Sequence, residues 1–251
     1  MAISAAKIEG EGTLTTKNLN DELNANFNDN KTVNPKNEYW TYKGYKIYKD
    51  GNIDRWIPEE YQQVEYIEST GGQYFDTKYI ATKNTNTEYK IKSNIYKKWG
   101  PHILSSPGCF FPFYRTDDNK VVVSIAGETQ KIDFQMLAGE IYELKYWNGI
   151  VSINGVEKGT CIPGNTDITS SLYLLTYRGD PEYSMEGRLY FCKIYNLDEM
   201  VRNFIPCYSI TTVTDVDGIE QPKNTIGLYD TVNGKFYVNK GTGTFTKGLD
   251  V

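Results

Sequence analysis

Apolar side chains recur at every second residue in several short stretches of this 251-residue chain, and few stretches carry them at helical spacing. The plainest case is residues 87–95. There Tyr89, Ile91 and Ile95 fall on one side and Glu88, Lys90, Lys92 and Asn94 on the other, which predicts a strand with one wet face. Residues 121–125 and 130–134 read as a pair turning at Ala126-Gly127-Glu128. Two Asn-Gly dipeptides, Asn148-Gly149 and Asn154-Gly155, favour tight type I′ turns. The first joins a strand with Tyr142, Leu144 and Tyr146 on one face to Ile150-Val151-Ser152-Ile153, so a meander is expected. Residues 64–68 and 73–77 flank the turn Thr70-Gly71-Gly72, where glycine supplies positive φ. Residues 101–113 hold three prolines and a glycine and are expected to form a long loop leading into a strand near Phe113.

Residues 187–207 organise the rest. From Arg188 to Tyr195 apolar or aromatic residues occupy both parities, with Tyr190, Cys192 and Ile194 on one and Leu189, Phe191 and Tyr195 on the other. That predicts a central strand with neither face fully wet. Asn196, Asp198 and Glu199 break the run, Met200, Val201, Phe204 and Ile205 resume it, and Pro206 is expected to end it for want of an N–H. Residues 172–177 also read as central, and residues 226–245 as the strands that complete the sheet.

The first 57 residues have a different texture. Asn is dense from Asn18 to Asn37 and large aliphatics are few, so this arm cannot bury enough surface to fold alone. Leu19, Leu23 and Phe27 recur at i, i+4 and i+8 after Asn18, predicting a short helix whose apolar stripe docks on a partner. Tyr45 and Ile47, then Asp50-Gly51, then residues 53–56 predict a small β-hairpin. The expected division is an anchoring arm over residues 1–57 and one sandwich over 58–251.

Composition agrees with an all-β chain rich in Tyr, of which there are 21. A net charge of −5 with scattered lysines argues against a general nucleic-acid binder. No run is apolar and long enough to span a membrane, and residues 1–12 lack the continuous apolar core of a signal peptide. Cys109, Cys161, Cys192 and Cys207 lie far apart with no C-x-x-C pair, and the single His102 offers little to a metal, so buried thiols and no metal or cofactor are expected. Asp215-Val216-Asp217-Gly218 and Asp117-Asp118-Asn119 offer oxygens without the spacing of a calcium loop.

The segments at residues 61–77, 188–208 and 226–245, taken in that order, resemble the concanavalin A-like, laminin-G-like jelly roll. More narrowly they resemble the version found in phage virion proteins and in surface proteins of gut bacteria. The likeness runs over about three quarters of the chain, from near residue 58 onward, and implies an antiparallel jelly-roll β-sandwich. Enzymes of this superfamily carry acids alternating on one strand in an E-x-D-x-x-E pattern. No such segment occurs here, so no enzymatic activity is expected.

What the resemblance implies is sugar binding, with rings stacking on the apolar face of a saccharide. The candidate rings, each beside polar neighbours at a predicted strand end, are Tyr114, Trp147, Tyr177 and Tyr183. It also implies a phage virion subunit, a fibre or decoration protein assembled in the host bacterial cytoplasm. Its arm would bind other virion proteins through Leu19, Leu23 and Phe27, as a homotrimer, and its sandwich would face host or mucosal glycans. A purely architectural subunit and a bacterial surface lectin stand beside that reading.

Overall fold

A computed structural model describes residues 39–42, 45–48, 53–55, 57–95, 102–115, 119–180 and 183–251, with side chains from residue 57 onward except 113–115. The chain divides after Glu59 into two compact units. In the first, strands β1 (Tyr39–Tyr42), β2 (Tyr45–Tyr48) and β3 (Ile53–Arg55) form an antiparallel meander. The expected hairpin is its second half, with Ile47 opposite Ile53, and β1 adds a strand opposite β2. The helix proposed around Leu19, Leu23 and Phe27 lies outside the described residues.

The second unit runs β4 (Tyr61–Gln63), β5 (Ile67–Thr70), β6 (Phe75–Ile80), β7 (Thr85–Ser93), β8 (Leu104–Ser106), β9 (Cys109–Arg115), β10 (Lys120–Ile125), β11 (Glu128–Ile132), β12 (Ile141–Trp147), β13 (Ile150–Ile153), β14 (Val156–Thr160), β15 (Ser171–Leu174), β16 (Glu186–Asn196), β17 (Glu199–Ser209), β18 (Val213–Thr214), β19 (Glu220–Gln221), β20 (Ile226–Asp230), β21 (Lys235–Val238) and β22 (Thr246–Lys247). Among the described residues there is no α-helix. The smaller sheet has the order β11-β10-β9-β8-β15-β6. The larger has β14-β13-β12-β7-β16-β17-β20-β21, with β5 beside β16, β4 beside β17 and β22 beside β5. Every named pair is antiparallel, and one apolar core lies between the two sheets. This is a jelly-roll sandwich.

Strand β16 is central, as its apolar run implies, but its two parities have another cause. Against β7 the register slips between Leu189 and Phe191, so Tyr190 is the extra residue of a β-bulge. Gly187 and Leu189 face the core before the slip and Cys192 and Ile194 after it, while Arg188, Tyr190, Phe191, Lys193 and Tyr195 are left half-buried on the outer face. The sequence pattern changes phase; it does not bury both faces. Gly187 itself has φ +150°, and a Cβ there would meet the Lys92 carbonyl oxygen at 2.1 Å, so only glycine lets β16 lie this close to β7.

Pro206, expected to end a strand, and Pro112, expected in a loop, both lie inside strands. Pro206 is within β17, opposite Leu228, and its carbonyl accepts the Val64 amide at 3.0 Å. Nitrogen and oxygen of one strand residue point the same way, so the missing N–H faces the side where pairing with β16 has ended at Phe204 and pairing with β4 begins only at Cys207. Pro112 sits at the irregularity where β9 pairs with β10, beyond the residues paired with β8, so strands run through the expected 101–113 loop on either side of a turn at Gly108. Gly71 and Gly72, both with positive φ, carry the chain from β5 in one sheet to β6 in the other instead of closing a hairpin. At residue 93 β7 ends, which leaves Ile95 40% exposed rather than in the core. The Asn148-Gly149 and Asn154-Gly155 turns have positive φ at all four positions, as type I′ requires.

Tyrosine fills the core as well as the surface. Tyr89, Tyr146 and Tyr237 are among the largest fully buried side chains. Each hydroxyl has a partner: Tyr89 donates to the Pro112 carbonyl at 2.5 Å across the two sheets, Tyr146 donates to the Cys161 carbonyl at 2.9 Å, and Tyr237 accepts from Asn233 at 2.7 Å. A second tie crosses the layers at Arg202 of β17. Its Nε and Nη2 donate to the Thr77 and Lys78 carbonyls of β6 at 3.1 and 3.2 Å. Its Nε lies 3.5 Å from the fully buried Asp230. Burial pushes the Asp230 carboxyl above its usual range, and the Asn203 and Val232 amides and Arg202 pull the other way. Desolvation outweighs that attraction.

Replacing Tyr89 with Phe keeps the ring and orphans the Pro112 carbonyl in a dry interior. Urea unfolding should show a loss of about 1–2 kcal/mol, with the native circular dichroism retained.

Candidate functional site

The four rings singled out in the sequence end up in three places. Tyr177 and Tyr183 meet edge to face, with centroids 5.9 Å apart at 84°. They sit where β15 leads toward β16, near a second edge-to-face pair, Tyr74 with Tyr173 at 6.0 Å. Tyr177, however, is covered by its neighbours: His102 stacks on it at 4.4 Å and the Arg178 guanidinium lies 4.4 Å from its centroid. Both ring contacts use surface that a sugar would need. Tyr183 is 39% exposed and stands free enough to touch a ligand. Tyr114 lies in β9 opposite Val121, and its side chain is outside the described residues.

Trp147 is on the outer face of the larger sheet, at the last position of β12 before the Asn148-Gly149 turn. Sequence reasoning missed its partner, Tyr195 of β16. The two rings meet at 4.9 Å and 71°, making an aromatic corner over Asn86 of β7, which lies opposite Tyr195. Asn86 is held by three bonds: its Nδ2 donates to the Leu197 carbonyl at 2.9 Å and to Asn148 Oδ1 at 3.3 Å, and its Oδ1 accepts the Asn148 amide at 2.8 Å. The floor of the corner is therefore fixed before any ligand arrives. Around it are the Lys145 ammonium, 4.7 Å from the Trp147 ring, and the exposed aliphatics Leu197, Ile150 and Ile162. Burial pushes the Tyr195 hydroxyl up to about 12, so it stays a neutral donor and acceptor at any ordinary pH.

The corner has a definite position on the sandwich. Tyr61 to Gln63 pair with the end of β17, and the Val251 amide donates to the Gln63 carbonyl at 3.2 Å. Both therefore lie level with the Glu186 end of β16, where β5 pairs, whereas Tyr195 is at the other end. About 25 Å of strand separates the pole where residue 60 enters from the pole that carries Trp147.

Other candidate chemistry is taken up by structure. The Asp215 carboxylate accepts the Asp217 and Ile219 amides, each at 2.9 Å, and the Gln221 side chain at 2.8 Å. Asp217 bridges Lys78 at 3.0 Å and Lys240 at 2.5 Å, and these two hydrogen bonds hold its carboxyl below the usual range. Among the described residues no three His, Cys, Asp or Glu converge as metal ligands. Asp117 and Asp118 lie outside the described residues. Glu68 pairs with Arg188 at 3.3 Å and Glu88 with Lys193 at 3.3 Å. All four cysteines are free and buried, and burial pushes Cys109 up to about 12.

No family model matches the chain, and no curated protein matches it. Among solved structures it is similar to a candidate carbohydrate-binding protein from Bacteroides ovatus ATCC 8483, at 12% identity and TM-score 0.51, over 75% of this chain and 62% of that one. It also aligns with the native heptameric SAP-like pentraxin of Limulus polyphemus at 14% identity and TM-score 0.47, over 74% of this chain and 96% of that one. The first likeness shows the fold, a jelly-roll β-sandwich, and the chain spans about 62% of the length of that Bacteroides protein.

The buried acids make an alkaline prediction. Unfolded thiols and tyrosines ionise near 9.0 and 10.0, whereas Cys109, Tyr61 and Tyr195 in the fold keep their protons to about 12. Between those values the unfolded chain binds fewer protons, so the stability they confer is complete below pH about 9 and falls as pH rises toward about 12. Urea midpoints should drop across that window, and the four thiols should ignore Ellman's reagent until denaturant is added.

Proposed function

We propose that the sandwich is a carbohydrate-binding module and that Trp147 and Tyr195 are its sugar-stacking corner. The observation that carries this reading is the meeting of two outward rings at 71° over a prefixed amide floor, with a lysine at the rim. An aromatic corner of that kind offers π-faces to the C–H face of a pyranose and nearby donors and acceptors to its hydroxyls. The lectin-like fold supports it, as does the location of the corner at the pole away from residue 60.

The resemblance in the sequence supports a setting for the module: a phage virion subunit assembled in the host bacterial cytoplasm, with residues 1–57 bound to other virion proteins and three copies together. Weak single-site binding would then be multiplied by avidity. A chain lacking residues 1–35 should stay folded and soluble yet fail to enter particles; normal incorporation would remove the anchor role.

A glycan array probed with the whole chain should return binders. Trp147→Ala should weaken that binding by about tenfold or more, equivalent to about 1.4 kcal/mol, while Tyr183→Ala leaves it within about twofold. No glycan bound by the intact protein would favour the purely architectural reading.

A further inference from the structure

The bulge in β16 has a second effect beyond keeping Leu189, Cys192 and Ile194 in the core. In a regular strand Tyr190 and Phe191 would point to opposite faces; here both are half-buried on the outer face, with Lys90 5.6 Å from the Tyr190 ring and Lys193 4.8 Å from the Phe191 ring. Tyr195 lies on the same face four residues on, and Tyr66 meets Tyr190 edge to face at 5.6 Å. Arg188 covers Tyr66 at 4.1 Å, and Gly248 packs on its other atoms so closely that a Cβ would come within 2.8 Å. From Tyr195 through Phe191 to Tyr190 rings therefore follow one another along β16, with Trp147 beside one end and Tyr66, itself covered by Arg188, beside the other. From Tyr195 to Tyr190 the run is about 15 Å long at the rise of a strand.

We propose that this outer face is a linear track for an extended, uncharged polysaccharide, bound along β16 through internal sugars rather than through a chain end. The proposal rests on the sugar-binding reading of the Trp147 corner and adds the class of ligand. Three observations favour that occupant. The rings are strung along one strand instead of gathered round a closed cavity, which suits a chain that continues past both ends. Every cation beside a ring has a carboxylate partner or cross-strand neighbour: Lys193 pairs with Glu88, which also lies opposite Lys145, Lys90 lies opposite Glu143, and Arg188 pairs with Glu68. With four cations among three carboxylates, the track offers only a weak field to a polyanion but many donors and acceptors to hydroxyls. The exposed aliphatics Leu197, Ile150 and Ile162 gather at the corner and Ile141 stands at the far end of β12, so the middle of the track lacks the apolar patch that a second protein would cover.

The test uses the whole chain in affinity gels containing a soluble β-glucan, a xylan, a galactomannan, an α-mannan or, as the acidic comparison, polygalacturonate. Calorimetry then follows with the disaccharide and hexasaccharide of whichever polymer retards the protein. The track predicts retention by a neutral polymer that persists in molar salt, and a hexasaccharide bound at least tenfold more tightly than the disaccharide. Phe191→Ala and Tyr190→Ala should each remove most of that length advantage while leaving the disaccharide affinity within about twofold. Phe191→Leu, which keeps an apolar side chain of similar volume, should behave as Phe191→Ala does and covers the case in which the alanine protein unfolds. Equal affinity for short and long oligosaccharides, both lost in Trp147→Ala, would overturn the track and leave the corner standing. Retention only by polygalacturonate, abolished by salt, would overturn the uncharged ligand. No retention by any polymer, together with an empty glycan array, would overturn both readings.

Discussion

The run of outward-facing rings on β16 depends on one slip in hydrogen-bond register. Backbone groups in β16 must pair with β7 on one side and with β5 and β17 on the other, so its position is set by three neighbours. An uninterrupted alternation would place either Leu189 or Ile194 on the wrong face, because their offset along the strand is odd. The extra residue at Tyr190 resolves the conflict. The core gains both aliphatics, and the consequence appears on the far side as two adjacent aromatic rings. Gly187 makes the same strand possible at its start, since a side chain there would strike the backbone of β7.

The core contains oxygen as well as carbon and still works as a core because the oxygen is paired. Three fully buried tyrosines bring hydroxyls inside, and each finds a carbonyl or an amide. Two of those partners, Pro112 and Cys161, belong to irregular points of the chain where a carbonyl lacks a regular ladder partner. The Tyr89 bond and the Arg202 fork therefore fix how the two sheets sit on one another, a specificity that oily contacts alone would leave looser. Asp230 shows the cost of such polarity: it is fully buried, it holds two backbone amides, and its carboxyl still resists ionisation.

Local chemistry was legible in the sequence; long-range chemistry was not. Asn148-Gly149, Asn154-Gly155 and Ala126-Gly127 state their turns within two residues, and the meander follows. The alternation of β7 and the central place of β16 could also be read directly. Pro112 and Pro206 misled because a proline is excluded from a strand only where its N–H would have had a partner, which depends on a neighbouring strand up to a hundred or more residues away. The apolar residues on both parities of residues 188–195 rightly marked a central strand with neither face fully wet, but the bulge behind them was not legible, because a phase change and double burial leave the same one-dimensional trace. Trp147 was legible as a ring beside a turn, whereas Tyr195 becomes its partner only through the shared register with Asn86. Tyr177 looked equivalent to Trp147 until His102 and Arg178, one of them 75 residues upstream, were found on its ring.

The distribution of rings also bears on why the outer face is not simply charged. A sheet face built for solubility alone would need Lys and Glu and no aromatics, since each half-exposed ring lowers solubility. Here Lys90, Lys145, Arg188 and Lys193 lie against rings, with Glu68, Glu88 and Glu143 offsetting most of their charge. Laying aliphatic stems on rings keeps those rings partly dry and holds their orientation. The arrangement keeps flat apolar surface available at the solvent boundary without creating a patch large enough to aggregate, which is what a weak, reversible, hydroxyl-rich ligand requires. The same residues would serve a protein interface poorly, because docking would have to desolvate every one of those ion pairs at once.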